Sequence, residues 1–200
     1  MEFSKIINMR YACRSFKDSK IQQKDLDFIL EAGRLAPSSL GLEPWKFYVA
    51  QSAKTKQEIA HIANNQSHLQ HCGAIIIITA RLDFAEYFES KLRARNLPQA
   101  ELQKRLTTYK PFIEGMDEER KLSYAREQTH LALMNMANAA TSCGLASCMI
   151  GGFDKNSLDV YLHLDKQEKS AVMLAVGEPK DSIIPQKIRN PKAEIIKFLE

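Results

Sequence analysis

Apolar residues recur at spacings of three and four through Leu26, Ile29, Leu30, Gly33 and Leu35, which predicts an amphipathic helix that Pro37 brings to an end. Phe47-Tyr48-Val49-Ala50 is a short β-favouring run and predicts a buried strand. Ala74 to Ala80 is apolar on both faces, so it predicts a central strand, and Ala171 to Gly177 predicts another of the same kind. The strongest helical pattern is Ser123 to Thr141. There Leu131, Met134, Asn135, Ala137, Asn138 and Ala139 alternate small and bulky, the composition of a helix packed closely on another helix, here its own copy across a two-fold axis or the core of its own chain. Shorter helices are expected at Met1 to Asn8 and Lys54 to Ile62, with Asn64-Asn65-Gln66-Ser67 capping a further turn from His68 to Cys72. Leu82 to Arg126 is the most polar third, charged and Gln-rich. It predicts helices with breaks around Leu97-Pro98 and Tyr109-Lys110-Pro111-Phe112, a poorly buried excursion that covers something or meets a partner. Ile195-Ile196-Lys197-Phe198-Leu199 is apolar enough to add a terminal strand. Helices interspersed with a few two-sided strands make this an α+β chain.

Bulk properties narrow the picture. The 200 residues fit one domain with a substantial core, and 44% hydrophobic with 26% charged residues is an ordinary globular composition. No apolar run approaches the roughly 18 residues a membrane span needs, and the first residues lack the pattern of a signal peptide, so the cytoplasm is the expected compartment. The net charge of +4 suits anionic small molecules, while no segment concentrates Lys and Arg enough for a nucleic-acid groove. Cys13, Cys72, Cys143 and Cys148 lie at no zinc-ligand spacing and are too few for a disulfide scaffold, so no metal site is expected. Cys143 and Cys148 are either a redox pair or small buried thiols.

Four stretches carry candidate chemistry. Ala36-Pro37-Ser38-Ser39-Leu40-Gly41-Leu42-Glu43-Pro44-Trp45-Lys46-Phe47 puts a stiff, donor-rich loop between a helix and a core strand, a placement that suits a ligand site or a Trp-plugged connection. Arg10 and Arg14 bracket Ala12 and Cys13, and two guanidiniums so close are held by an anion or fully solvated. In Gly144 to Asp154 a helix ends at Gly144 and a short strand leads to Gly151-Gly152 before a new helix; these glycines open the backbone to a flat ligand or make a tight turn. In Pro185-Gln186-Lys187-Ile188-Arg189-Asn190-Pro191 the two cations alternate, so in an extended chain both point the same way, toward a phosphate or toward water. Gly-x-Gly-x-x-Gly, Walker A, His-Glu-x-x-His and Gly-x-Ser-x-Gly motifs are absent, which leaves a Rossmann dehydrogenase or a hydrolase poorly supported.

Pro37-Ser38-Ser39 followed by Glu43-Pro44-Trp45 resembles the FMN-dependent nitroreductase family, and the Gly41-to-Lys46 version is similar to its bacterial NAD(P)H nitroreductase branch. The resemblance covers nearly the whole chain. It implies a nitroreductase-like fold, with a central, mostly antiparallel sheet flanked by helices, in an intertwined homodimer whose C-terminal strands are exchanged. Residues 1–200 would form a single FMN-binding domain, with 82–126 leaning over the active site. By the same resemblance Arg10, Tyr11, Ala12 and Arg14 hold the flavin, with Ala12 where the family has serine. Pro37, Ser38, Ser39 and Gly41 join them; Asn65 and His68, the latter in a lysine position, address the pyrimidine edge. Met149, Ile150, Gly151 and Gly152 face the ring, the backbone of Gly151 contacts N5, and Lys187 and Arg189 grip the phosphate. Leu40, Tyr109 and Phe112 would shape the substrate pocket. No side chain need do acid–base chemistry, because the cofactor carries it. The implied activity is ping-pong hydride transfer from NAD(P)H to nitroaromatics or quinones. The alternatives are a flavin reductase or NAD(P)H oxidase of the same fold, and a non-enzymatic basic binding or redox-sensing protein.

Overall fold

The apolar run at Ala74 becomes β2 (Ala74–Arg81), and its burial on both faces fixes everything around it. In the computed structural model, which describes residues 1–181 and 183–199, β2 lies between β1 (Trp45–Ala50) and β4 (Glu168–Gly177), with β3 (Ala146–Ile150) outside β4. All three pairings are antiparallel; Trp45 sits opposite Ala80, Ala74 opposite Val176, and Ala146 opposite Gly177. Alternation along β2 then divides the core. Ile75 and Ile77 pack into one cluster with Phe16, Ile59, Leu69 and Leu158, while Ile76 and Ile78 pack into another with Leu26, Ile29, Leu133 and Met136.

The first cluster is roofed by α3 (Ala53–Ile62), α4 (His68–His71) and α8 (Lys155–Tyr161), the second by α2 (Gln23–Arg34) and α7 (Glu118–Ser142). The central-strand and helix expectations hold in these elements, as does a first helix, α1 (Phe3–Met9). At Gly33 a Cβ would collide with the Met136 side chain, so α2 and α7 approach as closely as they do because that position is bare. α7 thus finds its close partner within the chain. Ala132, Leu133, Met136, Ala137 and Ala140 are its buried row, whereas Leu131 and Met134 face outward at 42% and 38% exposure. Gly144 closes α7 in the left-handed region at φ 77°, as its position predicts.

Three expectations are corrected. Phe47–Ala50 belongs to an edge strand, not a buried one: β1 pairs only with β2, and Val49 is exposed. Residues 82–126 are not a poorly buried excursion. α5 (Phe84–Arg93) and α6 (Gln99–Glu114) form an antiparallel pair around a third core of Phe84, Phe88, Leu92, Leu102, Leu106 and Ile113. α6 also runs straight through Tyr109 to Phe112, because burial of Leu106 and Ile113 on one face outweighs the N–H that Pro111 lacks, and the Gly115 N–H still donates to the Pro111 carbonyl at 3.0 Å. Finally, the terminal strand is absent among the described residues. Pro191 opens a one-turn helix, α9 (Lys192–Ile195), and Ile196 to Leu199 pair with no strand, leaving Phe198 and Leu199 exposed.

Candidate functional site

Beyond α1 the chain runs extended along β3: the Cys13 N–H donates to the Ser147 carbonyl at 3.0 Å, and Ala12 bridges Ser147 in parallel. This lays Arg10, Tyr11 and Arg14 along the outer edge of the sheet. Lys187 returns to the same edge from 177 positions away and donates from Nζ to the Arg10 carbonyl. The Lys187 ammonium is held below the usual lysine range, first by loss of solvent and then by the Arg10 and Arg189 guanidiniums. Three cations thus share a patch, and the carboxylate the described residues place beside it is Asp181, which acts on Tyr11 and lines a cavity with Arg10. Burial, aided by a hydrogen bond with Cys13, pushes the Tyr11 phenol up to about 12, which keeps it protonated at neutral pH.

The corner after α3 sits on this side too. Asn64 and Asn65 adopt φ 56°, and the amides of Asn64 and Gln66 both donate to the Gly152 carbonyl, at 3.2 and 2.9 Å. The Asn65 carbonyl oxygen meets the His61 ring at 3.1 Å. Gly152 is therefore held from α3, and a Cβ at Gly151 or Gly152 would meet nothing within 4 Å, so the backbone there is open on that side. Met149 and Ile150 turn their side chains into opposite cores, leaving only their backbone to a ligand. His68 is 8% exposed, yet its Nε2 has no partner. Burial, and then the Arg14 charge, hold its imidazole below the usual histidine range, so it is neutral at pH 7. With Arg14, Ser15 and Lys180 it lines a cavity of about 290 Å³.

The Pro37–Trp45 loop is built differently. Leu40, Gly41 and Glu43 all take positive φ, at 55°, 61° and 49°. Non-glycine residues in that region cost roughly 1–2 kcal/mol each, so the loop stays in shape only because its surroundings hold it. Ser38 Oγ accepts from the Glu43 N–H at 2.8 Å, and the Gly41 N–H returns to the Ser38 carbonyl at 2.9 Å. The Ser39 N–H donates to Gln128 Oε1 on α7 at 2.8 Å. Arg95, just past α5, donates to the Leu40 carbonyl at 2.7 Å and lies where a Cβ on Gly41 would go. Lys91 pairs with Glu43 at 2.7 Å, and Trp45 is buried beneath, stacked on Phe47. Tyr109 borders a cavity with Leu40, whereas Phe112 packs edge-on against Tyr124 at 6.3 Å.

The predicted residues therefore fall into two sets. Arg10, Tyr11, Ala12, Arg14, His68, Gly151, Lys187 and Arg189 gather at the β3 edge, with Asn65 close by on the same face. Pro37, Ser38, Ser39, Leu40 and Gly41 lead into β1, three strand spacings away or about 14 Å at the usual separation, with Ser39 bonded to Gln128 and Leu40 packed against the third core. One chain does not bring the two sets together. Sequence reasoning missed Gln128, Asn64, Gln66, Lys91 and Arg95. Gln128 left a signal: it interrupts the buried four-residue row Tyr124, Ala132, Met136 and Ala140. Cys143 and Cys148 are free thiols that burial pushes up, which leaves little thiolate for a redox pair. No helix among the described residues is long and apolar enough to cross a membrane.

Comparison with known proteins adds four findings. The sequence model described as Nitroreductase family matches residues 7–178. A Staphylococcus saprophyticus protein named "Putative NAD(P)H nitroreductase" is 32% identical over 96% of this chain and 94% of its own length. A nitroreductase family protein from Streptococcus pneumoniae superimposes with a TM-score of 0.85 at 25% identity over 99% of this chain and all of its own; an FMN complex from Exiguobacterium sibiricum shares the fold with a TM-score of 0.88 at 23% identity, over 100% and 98% of the two chains.

Proposed function

The chain belongs to the nitroreductase family, and on that premise we propose that it is an FMN-dependent oxidoreductase that reduces nitroaromatics or quinones with NAD(P)H by a ping-pong mechanism. The observation that carries this reading is the cation-rich patch of Arg10, Lys187 and Arg189, in which three positive charges outnumber the nearby Asp181. Such a patch is stable only if solvated or if an anion such as a phosphate sits in it, and arginine binds phosphate through two parallel hydrogen bonds.

The residues present fit FMN. Lys187 and Arg189 would hold its phosphate with Arg10. Arg14 would set a guanidinium at the pyrimidine edge, beside the orphaned Nε2 of neutral His68, which lacks a hydrogen-bond partner of its own. The bare backbone at Gly151 and Gly152 leaves room for a flat ring to approach, and Asn64 and Gln66 keep that backbone in place. When bound, FMN would supply the hydride chemistry between NAD(P)H and the acceptor, and the residues above would hold and orient it.

The separation of the two residue sets supports a homodimer, in which the Pro37–Gly41 loop of one protomer faces the cation edge of its partner. The exposed Leu131 and Met134 on α7 and the apolar tail through Phe198 and Leu199 supply surface for that contact, the tail by embracing the partner. Residues 1–200 act as one FMN-binding domain, with α5 and α6 as the cover over the acceptor. The test is the visible spectrum of the freshly purified protein, followed by anaerobic addition of NADH and NADPH separately. A yellow protein that bleaches with either donor bears the reading out. A colourless protein that takes up no added FMN overturns it.

A further inference from the structure

Between α5, α6 and the Pro37–Trp45 loop lies a second cavity of about 330 Å³, at the small end of the range for ligand pockets. That is room for a single-ring molecule and too little for a dinucleotide. Its apolar lining is Leu40, Phe88, Leu92 and Tyr109, with Phe88 and Leu92 buried at 2% exposure. Leu40 is held at φ 55° with its carbonyl bound by Arg95, so this wall has a defined position.

Apart from Thr108, the rest of the lining is charged and unequal. Arg95, Lys104 and Arg105 face one carboxylate, Glu101. Arg105 Nε bonds Glu101 at 2.7 Å, which neutralises that pair; among the described residues Arg95 is tied only to a backbone carbonyl, and Lys104, which acts on Glu101 through space, makes no ion pair or hydrogen bond. Two positive charges are thus left over beside an apolar floor. A neutral ring would use only the floor, whereas a ring carrying a carboxylate, sulfonate or phosphate would use both parts.

We propose that this cavity selects a monocyclic aromatic acceptor bearing an anionic group, with Lys104 and Arg95 as its anion-binding residues and Tyr109 and Leu40 against its ring. This rests on the oxidoreductase reading above for the word acceptor, but not for the binding site itself. The same anionic chemistry could come from the 2′-phosphate of NADPH, and the experiment separates the two.

The probes are 4-nitrobenzoate and 4-nitrobenzamide, which share ring and nitro group and differ in charge. Binding to the protein as purified is followed by calorimetry, and kcat/KM is measured with each. The expected result is about tenfold tighter binding of the benzoate, shrinking as salt is raised, with the same preference in kcat/KM. Lys104→Glu should reverse the benzoate-to-benzamide preference in both readouts, and Lys104→Gln should abolish most of it. Equal binding of the two probes, or a preference untouched by both variants, overturns the proposal. So does a Lys104→Glu effect on the NADPH-to-NADH ratio with none on the acceptor ratio, which would give the cavity to the donor. Charge-selective binding by a protein without flavin or reductase activity would leave this site standing and remove the oxidoreductase reading. Reductase activity indifferent to acceptor charge would do the reverse.

Discussion

The cation patch at the β3 edge joins residues 177 positions apart, Arg10 and Lys187, through one side-chain contact. The Pro37–Trp45 loop, by contrast, is local, strained at Leu40 and Glu43, and anchored to α7 and α5 by Gln128, Arg95 and Lys91. In the patch the Arg10 and Arg189 guanidiniums act against the Lys187 charge, and the proposed anion would relieve that repulsion. The loop stores backbone strain, and the rest of the fold bears it permanently. A site that needs both gains affinity from the first and fixed shape from the second, so damage to the two halves should look different: loss of ligand in one case, loss of stability in the other.

The sharpest way to break that contrast is Lys187→Ala with Arg189→Ala. Losing two charge-assisted contacts should weaken FMN binding about a hundredfold or more, read by flavin fluorescence, while the melting temperature of the flavin-free protein stays put. Retained flavin would remove the phosphate site from this edge. On the loop side, Gln128→Leu leaves the Ser39 N–H without its acceptor and should cost about 1–3 kcal/mol in urea unfolding. A neutral result would mean that the loop holds itself.

His68 sharpens the comparison through pH. Its imidazole is depressed in the folded state, so between the folded value and the ordinary one near 6.5 the unfolded chain binds more protons. Stability from this group is therefore complete above about pH 6.5 and falls as pH drops through that window, with a slope of at most about 1.4 kcal/mol per unit. Unfolding curves at pH 7.5 and 5.5 should converge in His68→Gln, and an unchanged difference would assign the effect elsewhere. The smallest effect is expected from Lys91→Ala, since its pair with Glu43 is half-exposed: about 0.5 kcal/mol or less, diminishing in salt.

The parts legible in the sequence were those whose signal is local. Ala74 to Ala80 announces a two-sided strand by composition, and Pro37 and Gly144 mark helix ends because each restricts or frees its own backbone. The site motifs were legible as stretches, yet not their distribution over two edges, because strand order follows from tertiary pairing. α5 and α6 looked unburied because Phe88, Leu92, Leu102 and Leu106 are diluted by charges that pair among themselves along the helices, as Arg93 with Glu89 and Arg105 with Glu101. The tail looked like a strand because five residues of apolar composition carry no information about whether a neighbour exists to pair with.

The placement of the two residue sets on opposite edges of the sheet has a genetic consequence. In the proposed dimer each site borrows its loop from one chain and its cations from the other. A chain crippled in the loop and a chain crippled in the cations, each inert as a pure protein, would restore one whole site when they pair, and leave the other doubly broken. Two defective alleles expressed together would then yield a working enzyme at a quarter of the normal site count under random pairing, a complementation that no protein with its site inside one chain can show.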